Sequence, residues 1–166
     1  MGNKKLGWGD ITLSKFQEIS QLEPSGDEIT DTLDTLSILT DKTYEELENE
    51  KIETIRELME SYSFLKEIPE EKKIDVIEID DVKYGLCDLN ELTVAQFVDL
   101  EMYIKDGMIK NCHKILAILF LPVKKYNSIT KKYEVEKYEP SEEREEIIKN
   151  VGMDQLYPTL LFFIVS

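Results

Sequence analysis

The chain has 166 residues, with 20 Lys+Arg against 35 Asp+Glu for a formal charge of −15, and 42% of its residues are apolar. That length predicts one domain spanning 1–166, and the apolar share supports a core, which excludes disorder of the whole chain. The charge argues against direct binding to nucleic-acid phosphates or to an anionic membrane, because no basic surplus exists to displace counterions.

The first residues, Met1-Gly2-Asn3-Lys4-Lys5-Leu6, begin like a myristoylation signal but place Leu6 where Ser or Thr is required. No apolar stretch follows the lysines, so a secretory signal is not expected either. Thr12 then reads as the N-cap of a helix carrying Leu13, Phe16 and Ile19, stopped by Glu23-Pro24. A second helix is predicted from Asp27 to Leu39, with Ile29, Leu33, Leu36 and Leu39 on one face. Thr43-Tyr44-Glu45-Glu46 is a capping box, and it predicts a third helix reaching Leu65. These N-terminal helices (residues 11–66) are acidic: from Glu18 to Glu60 there are 14 Asp/Glu and 3 Lys/Arg, a net of −11.

From Lys73 the period changes. Lys73–Ile79 and Val82–Leu86 are β-branched and aromatic runs around Asp80-Asp81, which predicts a β-hairpin over 73–87. Thr93-Val94-Ala95-Gln96 is a second capping box, and Phe97, Leu100, Tyr103 and Ile104 continue its helix to Asp106-Gly107. The most apolar helix runs from Met108 to Phe120 and ends at Pro122. Its Ile115, Leu116 and Leu119 are expected at the centre of the core. Lys124–Tyr138 reads as a second, exposed hairpin. Pro140-Ser141-Glu142-Glu143 opens a helix to Asn150 with Gly152 as the stop, and a last helix follows from Met153 with Pro158 near its first turn. The apolar ending Leu160–Val165 reads as a buried terminal helix or as part of a longer tail. The expected fold is thus mainly α (α+β), a multi-helix domain with one inserted β-hairpin and a second exposed hairpin within the C-terminal part (93–166). No run reaches the ~20 apolar residues a spanning helix needs, so the chain reads as soluble and intracellular.

Candidate chemistry is sparse. Cys87 and Cys112 lie 25 residues apart without a CxxC motif, which fits a reducing compartment and buried thiols. His113, the single histidine, follows Cys112 on a helix, where neighbours point about 100° apart, so a Cys–His pair is excluded and a structural or solvent-facing place is expected. Asp75, Glu78, Asp80 and Asp81 lack the spacing of a calcium loop and read as a solvated turn. No phosphate loop, dinucleotide fingerprint, nucleophile elbow or zinc motif is present. No catalytic residue, metal ligand or cofactor is therefore expected. The acidic helices admit a sharper reading, a nucleic-acid mimic that occupies a basic groove, against the plainer one of a charged, solubilising face.

Asp88–Glu101, with Thr93, Gln96, Phe97 and Asp99, resembles a segment of small tailed-phage morphogenesis proteins. His113–Val123 is similar to the helix that follows it there, closing on an apolar residue and a proline. The acidic helix with Arg144 and the closing Phe162-Phe163 pair fit the same pattern. These proteins are similar to tail assembly chaperones and are found in crAss-like phages of Bacteroides-like bacteria. The resemblance implies a non-enzymatic protein made in the host cytoplasm that binds phage structural proteins of the tail, portal region or capsid. The alternative it allows is a structural or packaged component of the virion. It carries over no catalytic residue.

The expected partner surface is Lys124–Tyr138. Tyr126, Tyr133 and Tyr138 offer contact area with few rotatable bonds, and Lys131 and Lys132 belong to a segment of five Lys and two Glu, net +3. A head-to-tail contact with the acidic helices of a second copy would be charge-matched and would give a homo-oligomer. The competing reading is an edge hairpin whose lysines block strand aggregation.

Overall fold

Three of the N-terminal helices begin where a side chain satisfies an otherwise open backbone N–H. In the computed structural model, which describes residues 4–70 and 72–165 (backbone only for 163–165), Thr12 caps α1 (Leu13–Ser20) through Lys15 N–H at 3.2 Å. Asp27 caps α2 (Glu28–Thr40) in the same way, through Thr30 N–H. The Thr43–Glu46 capping box forms as predicted. Its helix does not continue to Leu65, however. It is split into α3 (Tyr44–Glu48), α4 (Ile52–Ser61) and a 3-10 turn at Ser63–Lys66. The reason is phase: Ile52 follows Leu47 by five residues, about 140° off the helical face. Leu47 is buried and Ile52 is 70% exposed.

Strands β1 (Val76–Ile79) and β2 (Val82–Leu86) form the predicted hairpin, with Asp80 and Asp81 both at positive φ, 49° and 65°. Two successive left-handed residues are what a tight hairpin turn demands, and Asp tolerates them better than most residues. Helix α5 (Val94–Gly107) starts at the Thr93–Gln96 capping box. After it, α6 (Cys112–Leu119) passes directly into β3 (Phe120–Tyr126). Pro122 disfavours helix at Leu121, the residue before it, and the chain is already extended at Phe120.

The expected second hairpin forms, and it is joined to the first. β3 pairs with β2 on one side and β4 (Tyr133–Val135) on the other, giving one antiparallel sheet in the order β1-β2-β3-β4. Pro122 stands in an inner strand opposite Tyr84, and its carbonyl accepts the Glu136 N–H at 2.8 Å. Helices α7 (Glu142–Lys149) and α8 (Met153–Val165) complete a mainly α, α+β fold, with Pro158 inside α8 rather than at its start. Phe163 of the closing pair lies outside the described side chains. Among the described residues no helix is long and apolar enough to cross a membrane.

Helix α6 is buried except at the half-buried His113 and Lys114, and it divides the core. Cys112, Leu116 and Ala117 face the larger cluster, with Leu33, Leu36 and Leu39 of α2, Ile77 of β1 and Leu156 of α8. Ile115, Ile118 and Leu119 face a smaller one, with Leu100 of α5, Leu121 of β3 and Tyr138. The predicted core centre holds, since Ile115, Leu116 and Leu119 are at most 1% exposed, but they serve two clusters rather than one face.

Candidate functional site

The residues that chemistry would recruit are tied into the fold. Gln17 Nε2 donates to His113 Nδ1 at 2.9 Å and reaches the carbonyls of Ile109 and Lys110 at 3.0 and 3.2 Å. That bond makes Nδ1 the acceptor and leaves the ring proton on Nε2. Burial, then Lys149 and Lys114, lowers the imidazole to about 4. Burial also pushes the Cys112 thiol up to about 12 and raises Cys87, whose Sγ lies 3.7 Å from Gln96 Nε2. Thiols so placed are poor nucleophiles. Arg144 is buried, donating through Nε to Ala117 O at 2.7 Å and through Nη2 to Glu139 O at 2.9 Å, and so pins α7 to the end of α6. Among the described residues no group of three or more His, Cys, Asp or Glu is placed to hold a metal ion.

The predicted tyrosine surface is dispersed. Tyr138 is buried, and its hydroxyl donates to Asp99 Oδ2 at 2.7 Å. Burial and that carboxylate raise its pKa. Tyr133 is half-buried and donates to Leu86 O at 2.7 Å, with its ring across Gly85. A Cβ at Gly85 would lie 2.5 Å from the Tyr133 ring, so the glycine is the space into which that ring packs. Burial pushes the Tyr133 phenol up to about 12. Tyr126 alone of the three is exposed, beneath Lys83 Nζ at 5.0 Å from its ring centre. The expectation that three tyrosines form one exposed cluster is therefore corrected: two of them anchor the sheet and α5. Lys131 and Lys132 are exposed at the β3–β4 loop, as expected.

What sequence reasoning passed over is the outward face of α5. Val94, Phe97, Val98 and Met102 are 80, 57, 53 and 51% exposed, and Ile104 adds to their edge at 37%. They span about three turns on one side, opposite Gln96 and Leu100, which are buried. Of the four residues read as continuing this helix, Phe97 and Ile104 belong to this outer face and Leu100 is buried. The signal was available: Val94, Val98 and Met102 recur every four residues, a second apolar stripe beside Leu100 and Tyr103. Glu101 and Lys105 lie within the face and pair at 3.0 Å, so it carries no net charge. The helix is held firmly beneath this face by its capping box, by Gln96 Nε2 on Ile118 O at 3.4 Å, and by the Asp99–Tyr138 bond.

Compared with known proteins, the chain matches no family model, no curated protein and no solved structure.

Proposed function

We propose that this chain is a non-enzymatic phage protein that binds a structural protein of the tail or virion during assembly in the host cytoplasm, in the manner of a tail assembly chaperone. The observation that carries the reading is the apolar, charge-balanced outer face of α5. Monomers seldom leave several large apolar side chains together on a rigid helix unless something covers them. Because the face has no net charge, it selects by apolar shape. The partner chemistry that fits is an amphipathic helix whose own apolar side is buried when the structural protein polymerises. Of the segment that resembles phage morphogenesis proteins, Thr93, Gln96 and Asp99 are used inside the fold, whereas Phe97 faces outward. The occupied imidazole and protonated thiols support the absence of catalysis.

The test is recovery of the tagged protein from infected cells, with its companions identified by mass spectrometry, beside purified particles. A tail or virion structural protein should co-purify with the wild type. It should be lost with Val98→Asp/Met102→Asp, while circular dichroism and thermal melting stay unchanged. Recovery in purified particles at stoichiometric amount would favour a permanent virion component. Undiminished capture by the double variant would refute the α5 face.

A further inference from the structure

A groove of about 690 Å³ runs between α2 and α4. Its floor is apolar, made by Leu36, Leu39, Met59 and Tyr62. Its rim carries Glu28, Asp31 and Glu60 against one cation, Lys66. No ion pair among the described residues engages any of the three rim carboxylates. The surrounding segment, Glu18 to Glu60, carries −11.

The chain supplies the complement on another part of its surface. The β3–β4 loop presents Ile129, 90% exposed, between Lys124 and Lys125 on one strand and Lys131 and Lys132 on the return. None of these lysines takes part in an ion pair among the described residues. The loop is built rather than loose. Asn127 Oδ1 accepts the N–H groups of Ile129 and Thr130 at 3.0 and 3.1 Å, and Asn127 exchanges backbone bonds with Lys131 and Lys132 at 2.8 Å. An apolar tip held in shape and ringed by unpaired cations loses little ordering entropy on docking.

We infer that the occupant of the α2/α4 groove is the β3–β4 loop of a second copy of this chain, with Ile129 on the apolar floor and the lysines on Glu28, Asp31 and Glu60. Knob and groove belong to the two different core clusters that α6 separates, since α2 lines the larger and Val135 of β4 packs against the smaller. In the inferred arrangement the contact is heterologous, with the knob of each copy seated in the groove of the next. Each copy keeps one knob and one groove open, and the product is a ring or filament. At physiological salt the Debye length is about 8 Å, so repulsion between two −15 chains is largely screened while contacts at the groove survive. The inference does not rest on the proposed role of α5, which contributes to neither surface.

Sedimentation velocity from micromolar to millimolar protein tests it, with three proteins of the full chain. The knob variant is Ile129→Ser/Lys131→Gln/Lys132→Gln, and the groove variant is Glu28→Gln/Met59→Ser/Glu60→Gln, both checked for folding by circular dichroism and melting. The wild type should grow with concentration into species larger than a dimer. Each variant alone should remain monomeric. An equimolar mixture should stop at one dimer, because only one intact knob and one intact groove remain. Should either variant fail to fold, its single substitutions Ile129→Ser or Glu60→Gln should each shift association to at least tenfold higher concentration. A wild type that stays monomeric, a variant that associates like the wild type, or a mixture that stays monomeric or grows past the dimer would overturn the inference. So would a groove variant that loses a basic phage partner while the wild type remains monomeric.

Discussion

Gln17 joins segments that lie more than ninety residues apart, because one amide nitrogen reaches His113 and two carbonyls at the α5–α6 corner. Nothing at positions 12–20 announces that role, since a lone Gln on a helix reads as surface. His113 reads from sequence as structural or solvent-facing; the Gln17 bond makes it structural, and its environment gives it a pH signature. Its folded pKa lies near 4, below the ordinary 6.5, so the unfolded chain takes up a proton first as pH falls. Its share of stability is complete above pH 6.5 and is lost as pH drops from 6.5 toward 4. Relative to His113→Gln, the wild type should lose on the order of 1 kcal/mol between pH 7 and 5 in urea unfolding. A difference that stays flat with pH would show an exposed imidazole. Gly85 makes a second residue-scale claim. Gly85→Ala should destabilise by about 1–3 kcal/mol through its clash with the Tyr133 ring. In a Tyr133→Ala background most of that cost should vanish, and a double-mutant cycle measures the difference. A glycine inside a strand already signals close approach, but which ring approaches is set by the pairing of β2, β3 and β4, which the sequence does not display.

Helices were legible where caps and period agreed. Thr12, Thr43, Thr93 and Ser141 all accept the N–H bonds expected of them, and Asp27, read as the first helical residue, is the cap of α2 instead. The elements misread were those where tertiary pairing overrode local signals. Pro122 ends α6, yet it also sits in an inner strand, a place Pro normally avoids, so β3 was read as starting four residues late, at Lys124 instead of Phe120. The α3–α4 break was visible as a five-residue gap between Leu47 and Ile52 but was outweighed by a strong cap. Helix α6 supports both core clusters, and Leu116→Ala should therefore cost about 2–5 kcal/mol in urea unfolding. A loss near the ~0.5 kcal/mol of ordinary surface changes would contradict its place. Helix α5 shows the limit of reading periodicity alone. Two apolar stripes were present, and only the packing of Gln96 and Leu100 onto α6 reveals which one is left outside.

On the scale of the whole molecule, charge is segregated. The segment Glu18–Glu60 holds −11, and the remainder holds −4 although it includes the +3 of Lys124–Tyr138. This polarity was legible in the composition of the two halves. The apolar floor of the α2/α4 groove was not, because it needs α4 folded back beside α2. The α5 face carries no net charge, so the two surfaces differ in character, and the proposed contacts differ with them: charge-matched between copies, apolar with a partner. The proposed partner contact is tested most directly by photo-crosslinking in infected cells, with benzoylphenylalanine placed at Val98 on α5 or, as a control, at the 75% exposed Ile68. The expected result is an adduct with a tail or virion structural protein from position 98 and none from position 68. No adduct at 98, or the same products from both positions, would contradict the reading of α5 as the binding face.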